Sequence, residues 1–119
     1  MKETLLITGL TGRTGMCFLR EIAEHSVFFD RYDIVAAVRE TSDTSAIDAC
    51  PVPIRKVRGD LKDASFCRSI LHDAHLLLHI AGIHYSLPLI PAAAQRHLKR
   101  IISVHTTGVY SRFKAAGEE

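Results

Sequence analysis

The chain has 119 residues, of which 47% are hydrophobic and 24% are charged, and its formal net charge is +2 at pH 7. This length and composition predict one folded domain over residues 1–119 with an apolar core. The small net charge does not favour a nucleic-acid or membrane-surface partner. No apolar run is long enough to cross a bilayer, and the first residues do not resemble a signal peptide.

Periodicity and turn residues predict strands that alternate with helices along the chain. The strands are expected at residues 4–8, 33–38, 54–57, 76–81 and 100–105. Helices are expected at about 14–24, at 46–49 before Pro51, from an N-cap at Asp63 to about residue 74, and within 89–99. Residues 111–119 are polar and are expected to begin a fifth helix.

This alternation predicts a three-layer, doubly wound α/β fold around a parallel sheet with the strand order 3-2-1-4-5. Ligands of such sheets bind beyond the carboxyl ends of the strands, where the order reverses between strands one and four. Residues that follow those strand ends are therefore the first candidates for a functional site.

Gly9, Gly12 and Gly15 directly follow the first strand and lead into the first helix. Glycine allows a tight turn and a close approach of the backbone to a diphosphate, which the amino end of the helix then faces. The spacing is one residue longer at the first gap than the standard dinucleotide fingerprint. A ligand-free turn is the alternative, and the strand before and helix after favour the dinucleotide.

Arg39 ends the second strand, where an acidic residue would bind the ribose 2′-hydroxyl of NAD. A guanidinium there matches a 2′-phosphate, which favours NADP, although Glu40 is placed to bind a hydroxyl and NAD stays possible. A solvated strand-end arginine is the simpler alternative. Asp60 either reaches the adenine amino group or caps its own turn. Ala81 and Gly82 are small enough for the nicotinamide ribose to lie close, or simply pack well.

The chain resembles the short-chain dehydrogenase/reductase superfamily, and within it the atypical NmrA-like and extended epimerase-like branches of NAD(P)-binding Rossmann proteins. The matching segments are 7–15, 35–39, 58–61, 79–82 and 98–110. The resemblance implies an NADP-binding domain. The implied cofactor contacts are Gly9, Thr11, Gly12, Arg13, Thr14, Gly15, Arg39, Asp60, Leu61, Ala81 and Gly82.

The resemblance also yields a catalytic set. Thr106 takes the position of the family's catalytic serine, and Tyr110 and Lys114 match a Tyr-x-x-x-Lys spacing. Tyr110 also matches the tyrosine of the family's strand-end motif, which would be too early for the general acid. Both interpretations stay open, as does a strand-end role for Thr106.

Family members continue well beyond the fifth strand, so we expect an incomplete carboxyl-terminal half here. No segment would then cover residues 76–80 and 101–104 on the face of the first helix. That face and the edge of strand five should be open, which predicts self-association as a homo-oligomer or marginal stability.

The cysteines and histidines point to no metal centre. The three cysteines lack metal or redox spacing and indicate reduced thiols in the cytoplasm. His75 and His79 share a strand face but are about 13 Å apart along it, too far for one zinc ion. His79 and His105 could approach each other on neighbouring strands, yet satisfied or exposed imidazoles are the expectation.

Two function classes follow. The chain is an oxidoreductase or epimerase-like enzyme, or the cofactor-binding half of one, acting on an unknown small molecule. The alternative is an NmrA-type regulatory module that binds the dinucleotide without turnover.

Overall fold

The computed structural model describes residues 2–82 and 85–104, which form one five-stranded sheet with helices on both faces. The elements in chain order are β1 (Glu3–Thr8), α1 (Arg13–Glu24), α2 (Ser26–Phe29), β2 (Tyr32–Val38), α3 (Ser45–Asp48), β3 (Ile54–Arg58), α4 (Ala64–Leu71), β4 (Leu76–His79), α5 (Ser86–Gln95) and β5 (Arg100–Ser103).

The sheet has the order β3-β2-β1-β4-β5, and every pair of neighbouring strands is parallel. β1 lies at the centre, where Ile7 is level with Ala36 of β2 on one side and Leu78 of β4 on the other. This arrangement confirms the predicted fold class and strand order. The reversal of the order between β1 and β4 therefore lies directly beside the glycine-rich turn.

Alternate residues of the strands supply two separate cores. Ile7 and Ile34 pack with Leu19 and Ile22 of α1 and with Ile47 of α3. On the opposite face, Leu6 and Leu77 pack with residues of α4 and α5, chiefly Cys67, Leu71, Leu89 and Ala93. Burial on both faces explains why the central strands are apolar almost throughout.

The ends of several elements differ from the sequence-based expectation. β4 ends at His79 rather than at residue 81, because β1 turns away at Gly9 and leaves the following residues without a ladder partner. α5 begins at Ser86 and ends at Gln95, earlier at both ends than the predicted segment. Pro88 fits the first turn of that helix, and the positive φ of His97 (55°) follows its end.

Two further helices, α4 and α2, compare differently with the prediction. The carboxylate of Asp63 accepts a hydrogen bond from the Ser65 amide at 2.9 Å, so the predicted N-cap of α4 is confirmed. The short helix α2 was not predicted. Its aromatic residues, Phe28 and Phe29, meet edge to face at 5.0 Å between ring centroids and pack beside Tyr32.

Among the described residues, the helices cover the sheet face beside α1 only partly at β4 and β5. Ile102 is 49% exposed there, as expected, and Leu76 and Leu78 are half-buried. The expectation was wrong for Ile80, which is buried, because it packs into the core around Ile7 and Leu10 where the chain leaves the sheet. The open part of this face, lined by Leu5, Phe18, Phe28, Leu76, Leu78 and Ile102 among others, is called the uncovered face below.

None of the helices in residues 2–82 and 85–104 has the length and hydrophobicity needed to cross a membrane.

Candidate dinucleotide-binding site

The turn after β1 contains two glycines, Gly9 and Gly15, at which any side chain would clash with neighbouring backbone atoms. Gly9 has a φ of +78°, and a Cβ there would lie 2.4 Å from the amide nitrogen of Ala81. A Cβ on Gly15 would lie 2.0 Å from the carbonyl oxygen of Gly9. Both glycines are therefore required by the packing of the turn against β4 and against itself, with or without a ligand.

Gly12 is different, because the fold itself leaves room for a side chain there. Its φ is −82°, and an added Cβ would meet only the Gly9 carbonyl oxygen, at an ordinary contact distance of 3.5 Å. Gly12 is the N-cap residue of α1, no side chain caps that helix, and its first turn contains no acidic residue. The amino end of α1 thus keeps its positive potential and presents its first N–H groups outward.

A cavity of about 250 Å³ opens at the carboxyl ends of β1, β2 and β4, beside this turn. Residues from four segments line it: Gly9, Thr11, Gly12, Ala37, Val38, Arg39, Ser42, Gly59, Leu61, Ala81, Gly82 and Tyr85. Most of the predicted cofactor contacts therefore meet at one cavity. Arg13, Thr14 and Gly15 lie in the first turn of α1 and do not line it.

Arg39 lies at the adenosine-side wall expected for a dinucleotide. Its side chain is exposed, and it forms no hydrogen bond or ion pair with other residues of the described segments. Ser42 lines the same wall, and its Oγ is buried with no hydrogen-bond partner there. A buried hydroxyl normally has a partner, so the Ser42 Oγ is an exception within the described residues. The exposed Arg39 guanidinium offers an unpaired cation to a polar ligand at this wall.

Asp60 follows the second of its two proposed roles. Its Oδ1 accepts a hydrogen bond from the Lys62 amide at 2.9 Å, and its carbonyl accepts one from the Asp63 amide at 2.9 Å. The carboxylate thus caps the turn after β3, and Asp60 does not line the cavity. Beneath that turn, the buried Cys67 thiol donates to the Leu61 carbonyl at 3.2 Å, and burial raises the pKa of this thiol.

A buried hydrogen-bond relay joins β1, β4 and α5 behind the glycine turn. Thr8 Oγ1 accepts from the amides of Ile80 and Ala81, at 3.2 and 3.4 Å, and lies 2.6 Å from His79 Nδ1. The Thr8 hydroxyl and His79 Nδ1 thus share one short buried hydrogen bond. His79 Nε2 lies 3.0 Å from Ser86 Oγ, at the start of α5.

Two of the other described histidines form hydrogen bonds through Nδ1. His75 Nδ1 accepts from the Thr4 amide at 3.0 Å, and His72 Nδ1 lies 2.6 Å from the Arg96 guanidinium. Within residues 2–82 and 85–104, the one cluster of potential metal ligands comprises the exposed Glu21, Glu24 and His25 at the end of α1. His105 lies outside the described residues.

Sequence reasoning did not assign five of the lining residues to the site: Ala37, Val38, Gly59, Ser42 and Tyr85. The last two, Ser42 and Tyr85, lie several residues beyond a strand. Both follow strands whose ends had already been assigned to the site, so extending each strand-end segment by a few residues would have included them. The predicted catalytic residues Thr106, Tyr110 and Lys114 lie outside the described residues and stay predictions. The described part of the candidate site is therefore the cavity beside the glycine turn.

Comparison with solved structures supports the same class of fold. The chain is similar to a NADPH-dependent quinone oxidoreductase of Escherichia coli, with 26% identity, a TM-score of 0.65, and coverage of 83% of this chain and 34% of that chain. It is also similar to a short-chain dehydrogenase/reductase of Veillonella parvula in complex with NADP, with 12% identity, a TM-score of 0.68, and coverage of 100% and 58%.

An isoflavone reductase is a third similar structure, with 18% identity, a TM-score of 0.64, and coverage of 85% of this chain and 35% of that chain. The chain thus spans between about a third and three fifths of the solved structures it resembles. No protein-family model matches the sequence, and no curated protein shows significant similarity to it. The likenesses confirm a Rossmann-type domain of the kind found in these reductases.

Proposed function

We propose that the chain is a single Rossmann domain that binds NADP(H) across the carboxyl ends of β1, β2 and β4. The pyrophosphate lies against the amino end of α1 beside Gly12, and the adenosine 2′-phosphate pairs with Arg39. The adenine side extends toward Leu61, while the nicotinamide ribose approaches Ala81 and Gly82. NAD(H) would occupy the same path without the ion pair at Arg39.

The observation that carries this proposal is the contrast among the three glycines. Gly9 and Gly15 are explained by backbone packing alone, but Gly12 is not, since the fold has room for a side chain at that position. The missing side chain keeps the amino end of α1 open to the cavity. An anion that closely approaches this backbone provides a physical reason for glycine there. The unused Arg39 guanidinium fits a second phosphate at the other wall.

Calorimetric titration with NADP⁺ and NAD⁺ tests the proposal on three proteins: the wild type, Arg39→Ala and Gly12→Val. We expect Arg39→Ala to lose about tenfold in affinity for NADP⁺ alone, equivalent to about 1.4 kcal/mol. Gly12→Val should abolish binding of both dinucleotides while the protein stays folded by circular dichroism. The control is Arg55→Ala, which removes the same charge from β3 at a residue that does not line the cavity.

Equal weak affinity of the wild type for both dinucleotides would remove the NADP assignment. Undiminished binding by Gly12→Val would contradict the placement of the pyrophosphate.

For the chemistry, we propose a cofactor-binding part of an oxidoreductase or epimerase-like enzyme of the cytoplasm. The reductases among the similar structures support this class, and the three unpaired cysteines support a reducing compartment. Thr106, Tyr110 and Lys114 are the candidate catalytic residues. Oxidation of NADPH with a quinone acceptor, and its loss in Tyr110→Phe, would support the assignment. NADP(H) binding without turnover would instead favour the NmrA-type regulatory alternative.

We further propose that two copies associate through the uncovered face. An apolar hollow of about 410 Å³ lies there, and Ile102 of β5, which is 49% exposed, lines it. Among the described strands, β5 pairs with β4 alone. An open parallel edge with apolar residues favours association. Light scattering should show a dimer that Ile102→Lys dissociates. Leu87→Lys, at an exposed residue of α5, should leave the dimer intact. A wild-type monomer at high concentration would contradict this proposal.

A further inference from the structure

Arg58, the last residue of β3, binds the loop that follows β2. Its Nη1 donates to three backbone carbonyls, those of Arg39 at 3.1 Å, Glu40 at 3.2 Å and Ser42 at 3.3 Å. Its Nη2 donates to Thr44 Oγ1 at 3.3 Å. One guanidinium therefore contacts both ends of the loop between β2 and α3.

These contacts orient the backbone of the loop. Carbonyl oxygens that converge on one point repel one another unless a cation lies between them, and a planar guanidinium offers several donors in a fixed arrangement. The Ser42 amide also donates to the Arg39 carbonyl at 3.2 Å, which closes a tight turn. With its carbonyls turned toward Arg58, the loop places Arg39 and Ser42 at the wall of the cavity.

We propose that Arg58 is a positioning residue that determines the choice between NADP(H) and NAD(H). It holds the loop 39–44 in an arrangement that places the exposed Arg39 guanidinium at the cavity, where a 2′-phosphate would bind. This role rests on the proposed dinucleotide function. Arg58 acts through the loop backbone, since its Nη atoms are already engaged by carbonyl and hydroxyl oxygens.

A direct electrostatic role is the competing explanation, because any cation near the site attracts a phosphate dianion. The two roles differ in their tolerance of lysine. Arg58→Lys keeps the charge but replaces the fork by a single ammonium group, which cannot reach four oxygens with the same geometry. If Arg58 acts by positioning the loop, Arg58→Lys should weaken the preference for a 2′-phosphate. If Arg58 acts only by its charge, the preference should survive the substitution.

The test compares adenosine 2′,5′-bisphosphate with adenosine 5′-monophosphate, which differ only in the 2′-phosphate. We expect Arg58→Lys to lower the preference for the bisphosphate about fivefold, equivalent to about 1 kcal/mol, with monophosphate affinity unchanged. Hydrogen exchange of the ligand-free protein should be faster at the Ser42 amide in Arg58→Lys. Arg55→Lys on the same strand is the matched control and should change neither quantity.

The outcomes separate this role from the function on which it rests. A wild-type protein that binds both nucleotides equally overturns the proposed function and this role together. A wild type that prefers the bisphosphate, with a preference that survives Arg58→Lys, overturns the positioning role alone. An equal loss of affinity for both nucleotides in Arg58→Lys also overturns it, since the effect would then be general.

Discussion

The two walls of the cavity are built in different ways. The glycine turn on one side is fixed by contacts between backbone atoms: Gly15 packs against Gly9 within the turn, and Gly9 packs against Ala81 after β4. The loop 39–44 on the other side is fixed by side chains of β3, chiefly Arg58, from 14 to 19 positions away. The glycine turn is therefore held by steric contacts of the backbone, while the loop 39–44 depends on polar contacts that a single substitution can change.

The largest effect is expected in the turn itself. Gly15→Ala places a Cβ 2.0 Å from the Gly9 carbonyl oxygen and 2.5 Å from the Leu10 Cα. Because both neighbours are backbone atoms, we expect a loss of about 3 kcal/mol in the free energy of unfolding, the upper end of typical overpacking costs. Urea denaturation measures this loss.

Gly12→Ala is the control for that substitution, since it adds the same methyl group where space exists. Its free energy of unfolding should stay within about 1 kcal/mol of the wild type, because the loss of a glycine N-cap is offset by a smaller entropy in the unfolded chain. Equal destabilisation by the two substitutions would contradict the distinction between a structural and a ligand-facing glycine.

The next largest effect on the free energy of unfolding is expected from a substitution in the hydrogen-bond relay of Thr8, His79 and Ser86. Thr8→Val keeps the shape but removes the oxygen shared by His79 and two amides, so we expect a loss of about 2 kcal/mol in the free energy of unfolding. A double-mutant cycle with His79→Phe should give a coupling energy of about 1 kcal/mol between the two side chains. Additive effects would show that Thr8 and His79 do not stabilise the fold as a pair.

A smaller, pH-dependent effect is expected at the turn after β3. Burial raises the pKa of the Cys67 thiol above its ordinary value, with Asp63 and Asp60 adding to the effect. The folded state thus disfavours the thiolate, and the stabilising contribution of the neutral thiol is lost as pH rises from about 8.5 through the raised pKa. Unfolding free energy should decline with pH over this range in the wild type.

Cys67→Ala removes the titrating group and serves as its control. Its unfolding free energy should decline less steeply between neutral and alkaline pH than that of the wild type. A thiol reagent should modify the exposed Cys17 in the native protein and reach Cys67 only on unfolding. Parallel pH profiles for wild type and variant would contradict the prediction.

The smallest effect is expected at Lys56 of β3, which contacts Asp48 and Thr44 next to the loop 39–44. Lys56 Nζ lies 2.6 Å from Asp48 Oδ1 and 3.4 Å from Thr44 Oγ1, and both partners of the ion pair are partly exposed. Lys56→Ala should cost about 0.5 kcal/mol or less of unfolding free energy, and less still at high salt. A loss larger than that of Arg58→Ala would reverse the order of importance of the two β3 cations.

The sequence by itself determined the order of strands and helices, the parallel sheet, and the glycine turn at its centre. These follow from local signals, namely apolar periodicity, Asp63 as an N-cap, and glycines at the end of a strand. Most of the residues that line the cavity could also be predicted from the sequence, because parallel strands bring their carboxyl ends to one edge of the sheet.

Only the tertiary structure decided what each residue does at that edge. It separated Gly12 from Gly9 and Gly15, assigned Asp60 to its own turn, and brought Arg58 to the carbonyls of a distant loop. The tertiary structure also shows that Ile80 is buried, whereas the sequence predicted that it would be exposed. Such distinctions depend on distances between residues far apart in the chain, which periodicity and spacing do not encode.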